Sequence, residues 1–215
     1  MKYNQTLIAV ALVASAVGAN AEVVGSIGGG TGPFLTLTST GLAPAGTFAG
    51  ASLTGGTVYS SDQPVADMPK GAGQATVGSF LAAGPSSGEP ATLTFTTGVS
   101  SIGFLWGSPD LYNLLTVTSS TGVQAFVANA SAGNPGATSL GFVQANGNQD
   151  FSQYVTFTGV GSTTILALGF SNSPALNAFE SSNFSVSAVP EPETYALMLA
   201  GLGVIAFIGR RRRRI

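Results

Sequence analysis

The stretch ATLTFTT, Ala91–Thr97, decides the fold class. In an extended chain Leu93 and Phe95 fall on one side, and Thr92, Thr94 and Thr96 on the other. Alternation with period two predicts a strand that covers a core with one face and meets water with the other. Working outward, related patterns occur at Phe34–Thr40 (FLTLTST), Ser101–Trp106, Leu114–Ser119 (LLTVTS), Val123–Val127, Leu140–Gln144, Gln153–Thr158 (QYVTFT), Thr164–Phe170 and Phe184–Val189. Several gaps carry turn chemistry, as in Ala132-Gly133-Asn134-Pro135-Gly136 and Asn146-Gly147-Asn148. The segment Phe48–Pro90 is less patterned and richer in Gly, Ala and Pro. It predicts long loops with short strands at Gly56–Ser60 and Val77–Ala82. With helix signals scarce, the expectation is an all-β, antiparallel two-sheet β-sandwich of the jelly-roll kind, occupying residues 22–189.

Charge removes whole classes of function. The chain has 215 residues and a formal net charge of −2, but five of its seven bases are the run Arg210–Arg214 and a sixth is Lys2. Between residues 22 and 189, Lys70 stands alone against seven acids (Glu22, Asp62, Asp67, Glu89, Asp110, Asp150 and Glu180), a net charge of −6. A body with one cation offers no electrostatic footprint to a phosphate backbone, so nucleic acid is not an expected partner. With no Cys and no His there is no thiol nucleophile, no imidazole base and no zinc site of the usual ligand types. The chain is therefore not expected to be an enzyme. Lys70 can pair with only one or two of the acids. Any other carboxylate that is buried must be neutral, densely hydrogen-bonded or holding a cation.

The two ends read as addresses. Residues 1–21 have a polar start with Lys2, an apolar stretch from Leu7 to Val17, and Ala19-Asn20-Ala21, in which Ala19 and Ala21 form the small-x-small pattern that signal peptidase accepts. This predicts a secretory signal peptide with a mature chain starting near Glu22. At the other end, residues 190–215, the order is Pro190-Glu191-Pro192, then the uncharged run Tyr195–Ile208 (YALMLAGLGVIAFI), then Arg210, Arg211, Arg212, Arg213 and Arg214. The prolines predict a rigid, non-helical lead-in. As a helix the run of 14 residues would measure about 21 Å, against a hydrocarbon core of about 30 Å. It predicts a short transmembrane helix suited to transient anchoring. Five guanidinium groups at roughly 2.5–3.5 kcal/mol each in a bilayer centre stay on the cytoplasmic side and leave the body outside.

This three-part tail resembles the PEP-CTERM sorting signal of Gram-negative bacteria. The resemblance implies recognition around Pro190-Glu191-Pro192 by an exosortase, a membrane-embedded cysteine protease that removes the tail. It further implies transient residence in the inner membrane. Delivery would then be to the outer surface or the biofilm matrix of a bacterium that secretes exopolysaccharide.

Inside the body, Ile102–Asn113 (IGFLWGSPDLYN) is the most distinctive stretch. It resembles a subgroup of exosortase-dependent surface proteins with a W-G-S-x-D-x-Y-N motif, matched here by Trp106, Gly107, Ser108, Asp110, Tyr112 and Asn113. Two readings follow. In one, Trp106 and Tyr112 stack on sugar rings while Asp110 and Asn113 bond hydroxyls. In the other, Trp106 fills the core, and Asp110 and Asn113 tie a turn through side-chain to backbone hydrogen bonds. The stretch Asn177–Val189 (NAFESSNFSVSAV) is similar to the closing strand of PEP-CTERM bodies, with Ser181 and Ser182 where an apolar residue and an Asp are usual. Glu180 and Asn183 remain as candidates for a hydrogen-bonded corner.

No cofactor is expected. Calcium is the one metal whose ligand preferences the sequence can meet, through Asn146, Asn148 and Asp150 or through Asp62 and Asp67, though neither set has EF-hand spacing. The run Gly28-Gly29-Gly30-x-Gly32 lacks the Lys and the preceding strand of a phosphate loop and predicts a flexible start to the mature chain. The function expected is that of a secreted, exosortase-processed surface or matrix protein with a structural or interaction role. A carbohydrate-binding module of the extracellular polysaccharide is the alternative. A polysaccharide hydrolase, which needs two facing carboxylates about 5–10 Å apart, is the weaker one.

Overall fold

The computed structural model describes residues 22–30, 32–71, 73–130, 134–172 and 177–188, together with Leu202. The expected signal peptide with Ala19 and Ala21, the Pro190-Glu191-Pro192 motif, the helix Tyr195–Ile208 and the cluster Arg210–Arg214 lie outside these residues, apart from the single position Leu202.

Among the described residues the body is built from strands: β1 (Val23–Ile27), β2 (Leu37–Thr38), β3 (Gly41–Leu42), β4 (Ala51–Thr54), β5 (Thr57–Tyr59), β6 (Lys70–Gly71), β7 (Gln74–Ala75), β8 (Phe80–Ala83), β9 (Ala91–Gly107), β10 (Asn113–Ser119), β11 (Gly122–Val127), β12 (Thr138–Ser139), β13 (Ser152–Gly159), β14 (Ile165–Asn172) and β15 (Phe179–Ala188). Strands β6 and β7 form a small hairpin, and the other thirteen belong to one hydrogen-bonded sheet. The sheet is mixed, because β12 runs parallel to β11. The two stretches expected as separate strands, Ala91–Thr97 and Ser101–Trp106, are one strand of 17 residues. The first half of β9 lies between β4 and β14, and the second half between β13 and β15. Because β9 passes through both groups, what would otherwise be two sheets are limbs of one.

Aromatic rings join the limbs. Phe104 of β9 meets Phe170 of β14 edge-on at 5.5 Å between ring centres, and Phe126 of β11 meets Phe157 of β13 at 4.9 Å. Both are separations at which ring pairs attract beyond their buried area. The main core runs through these rings together with Leu93, Phe95, Trp106, Leu168, Phe179 and Phe184.

Three local expectations need correction. Leu140–Gln144 is not a strand, although its alternation is real. Phe142 enters the core and Val143 points to solvent, while the backbone is tied to β11 and its continuation through Leu140 N–H to Val127 O, Phe142 N–H to Ala128 O and Phe142 O from Asn129 Nδ2. Only Leu37–Thr38 of Phe34–Thr40 is strand. The glycine run at 28–32 does follow a strand, since β1 pairs with β13 over five residues and buries Val23.

The unpatterned segment between β5 and β8 acts as a strap across the outer side of the second limb. Pro69 packs on Gly107, where a Cβ would come within 2.7 Å of the proline ring. Thr76 Oγ1 bonds Ser182 Oγ at 2.8 Å, and Ser152 Oγ donates to Lys70 O at 2.7 Å. In β15 a register shift at Asn183–Phe184, with Asn183 at φ 52°, marks a bulge. It aims the Asn183 amide at the strap, accepting from Val77 N–H at 2.7 Å and donating to Ala75 O at 2.8 Å.

Candidate functional site

The W-G-S-x-D-x-Y-N residues form one corner at the end of β9. Trp106 is wholly buried, its indole stacked on Phe179 at 4.3 Å and met edge-on by Phe142 at 5.4 Å. No sugar ring reaches it. Gly107 admits Pro69, and Ser108 then turns the chain with φ 30°. The next residues close a turn in which Asn113 N–H donates to Asp110 O at 3.2 Å.

Asn113, also wholly buried, organises the corner. Its Oδ1 accepts from Asp110 N–H at 2.8 Å and from Trp106 Nε1–H at 3.3 Å, and its Nδ2 donates to Asn172 Oδ1 at 2.7 Å. The Asn172 amide passes the bonding on to Ala83 O at 3.1 Å and Glu89 Oε2 at 3.3 Å. A buried amide is tolerable only when its donors and acceptors are matched, and this chain of amides meets that requirement. Asn172 had no signal in the sequence, because an Asn at a strand end reads as an ordinary turn residue.

Around the corner lies a polar cavity of about 100 Å³, lined by Asp67, Ser108, Asp110, Gly147 and Glu180 among others. It is well below the roughly 300 Å³ at which small-molecule sites begin, and has room for about three waters. Gly147, at φ +68°, lets its loop close on this cavity, since a Cβ there would stand 2.7 Å from Asp110 Oδ1. Asp110 is nearly buried. Burial pushes its carboxyl above the usual range, while a hydrogen bond from the Tyr112 hydroxyl partly offsets this. Tyr112 is pushed up to about 12 by burial and then by the bond to Asp110 and its charge, and its oxygen accepts from Asn177 Nδ2 at 3.1 Å.

Glu180 is 4% exposed, and its Oε2 accepts from Ser108 Oγ at 2.8 Å. Its own backbone amide and that of Asp67 also donate to the carboxylate, but burial dominates and pushes the group up to about 8. At neutral pH this carboxyl is therefore protonated, which is how a body with one Lys can bury an acid. The one cation is spent elsewhere, with Lys70 Nζ 4.0 Å from Asp62 Oδ2.

Two of the calcium candidates, Asn148 and Asp62, make local bonds. Asn148 Oδ1 accepts from Asp150 N–H at 3.0 Å and its Nδ2 donates to Gln144 Oε1 at 2.9 Å, while Asp62 Oδ1 accepts from Met68 N–H at 2.7 Å. Among the described residues no three acidic side chains are grouped to hold a metal ion, and no helix is long and apolar enough to cross a membrane.

The body's last strand ends at Ala188, and Pro190 follows two residues later. No curated protein and no solved structure matches the chain. Residues 188–214 do match a family model, the PEP-CTERM protein-sorting motif, so the chain carries at its C-terminus a signal that implies export and processing by an exosortase.

Proposed function

We propose that the chain is a surface or biofilm-matrix protein of a Gram-negative bacterium, with a structural or interaction role and no catalytic one, released from transient inner-membrane anchoring when an exosortase cuts its tail. In this reading residues 1–21 leave with signal peptidase, and the two limbs joined by β9 are the layers of a jelly-roll-like sandwich. The sorting motif at 188–214 carries the proposal. The position of β15 supports it. That strand pairs with both β8 and β9 and ends where the motif begins, so a cut near Pro190 spares all the pairing that the body needs. The non-catalytic role is supported by the corner, whose polar groups are engaged with one another around a cavity too small for a sugar.

The test is cell fractionation with the exosortase present or deleted, beside a chain with Pro190→Ala, Glu191→Ala and Pro192→Ala. Normal cells should yield a shortened protein outside the inner membrane. Both the deletion strain and the triple variant should retain the tail in the membrane fraction. Identical fractionation in all three would refute the proposal.

A carbohydrate-binding role remains the second reading, moved to a different place. A groove of about 440 Å³ beside the end of β15, uncharged and lined by Leu35, Phe48 and Val186 together with the hydroxyl residues Thr47, Ser185 and Ser187, has the size for a saccharide. Binding to native polysaccharide that disappears in Ser185→Trp would establish this role, and undiminished binding would exclude the groove.

A further inference from the structure

The strand register lays two rows of side chains across the outer face of the first limb. One row is Ser52, Thr94, Ala167, Thr118 and Val123, on β4, β9, β14, β10 and β11 in turn. The second, on the same five strands, is Thr54, Thr92, Gly169, Thr116 and Ala125. Neither row holds a charged or aromatic residue. Along β14 the small residues Ala167 and Gly169 form a bare floor between threonines of β9 and β10, two strand spacings or about 10 Å apart. A side chain at Gly169 would collide with Thr116 Oγ1, which leans over it and donates to Gly169 O at 3.4 Å.

The hydroxyls of this face are unspent. Among the described residues, Ser52, Thr54, Thr92, Thr94 and Thr118 make no side-chain hydrogen bond. On the second limb the hydroxyls are used inside the protein: Ser182 bonds Thr76, Ser185 bonds Tyr154, Ser152 donates to Lys70 O and Thr156 to Gly28 O. We propose that the threonine face of β4, β9, β14, β10 and β11 is a docking surface for a neutral polysaccharide, laid along the floor of β14 between the two threonine walls. This rests on the interaction role proposed above, and not on the sorting route or on the groove beside β15.

Charge selects the partner. The body has a net charge of −6, and its one cation, Lys70, lies in the strap beside Asp62. An acidic polymer would meet repulsion from the body and no cation on the face. A protein partner is held by buried aromatic, Arg or other large anchors, and the largest apolar side chain on these rows is Val123. A neutral polysaccharide needs neither. Its hydroxyls replace the water on the threonine hydroxyls, and its C–H surfaces lie on the threonine methyls. Each exchange contributes little, so binding requires a polymer that engages several rows of one face together.

The experiment is affinity electrophoresis of the full chain, in a detergent without a sugar headgroup, through native gels cast with dextran, with hydroxyethyl cellulose or with alginate. The chain should be retarded by at least one of the two neutral glucans and run freely in alginate. Thr94→Glu with Thr118→Glu sets unpaired charge under the bound polymer and should weaken the association by about tenfold or more. Ser185→Trp, in the groove, should leave it unchanged. Should the double variant fail to fold, threonine methyl NMR of the unsubstituted chain replaces it, with Thr92, Thr94, Thr116 and Thr118 expected to shift on adding the glucan. Retardation by neither glucan, equal retardation in alginate, loss in Ser185→Trp, or unmoved methyls would overturn the proposal. So would slowing without polysaccharide that grows with protein concentration, which would make the face a contact between copies. None of these outcomes alters the fractionation result expected above, so the two accounts fail separately.

Discussion

The two halves of β9 belong to one strand and live in different surroundings. From Ala91 to Thr97 the chain alternates, with Leu93 and Phe95 in the core and Thr94 and Thr96 in water. From Ile102 to Gly107 every residue is buried. The inner side of that second half meets the ring cluster; on the outer side Tyr154 lies over Gly103 and Pro69 of the strap over Gly107, with Thr76 bonded to Ser182 of the neighbouring β15. The first half is a wall with a wet face, whereas the second is walled on both sides and ends in the buried polar corner. Strength in the second half should therefore depend on individual residues, and in the first half on very few.

Substitution can break that contrast. Trp106→Ala removes the ring that Phe179 stacks on and should cost about 3–5 kcal/mol in urea unfolding. Asn113→Ala leaves the Trp106 indole, the Asp110 amide and the Asn172 carbonyl without their partner. It should cost about 2–3 kcal/mol in the same measurement. A loss under 1 kcal/mol would mean that water replaces the amide and that the corner is not a closed network.

The corner also predicts a pH dependence that the first half of β9 lacks the groups to produce. Glu180 is raised to about 8 in the folded chain against 4.5 in the unfolded one, so the native state keeps a proton that the unfolded state gives up. Its contribution to stability is complete below pH 4.5, shrinks between pH 4.5 and pH 8 by at most about 1.4 kcal/mol per unit, and then levels off. Thermal melts at pH 5 and pH 8 should show the decline, and Glu180→Gln should reduce it. At the small end, Thr94→Ala on the wet face should stay within about 0.5 kcal/mol of wild type.

The same contrast explains what the sequence made legible. Where one face is wet, the code of alternation survives: Leu114–Ser119 and Gln153–Thr158 are strands close to their expected limits, and Ala91–Thr97 starts its strand where expected but runs on to Gly107. Where a loop covers the outer face, the pattern turns into the continuous apolar run IGFLW, which period two cannot describe. The covering segment carries no pattern of its own because its role is met by single contacts, such as Pro69 on a glycine and Thr76 on a serine. The corner residues Trp106, Asp110 and Asn113 were visible as a motif, yet their work could not be assigned without knowing that Phe179 and Asn172 stand behind them. Glu180 is legible as a candidate for a hydrogen-bonded corner and through the condition that a buried acid lacking a cation must be neutral, densely bonded or holding a cation, but its donors are not. The Ser108 and Asp67 donors meet it from 72 and 113 residues away in the chain.

Most of the functional account depends on where the polypeptide ends once it has left the cell. Intact-mass spectrometry of the protein recovered from the outer surface answers that directly. The expected mass lacks residues 1–21 and the Arg-bearing tail, with a new C-terminus near Pro190 and the body complete through Ala188. A recovered chain that still carries Tyr195–Ile208 and the five arginines would contradict the account.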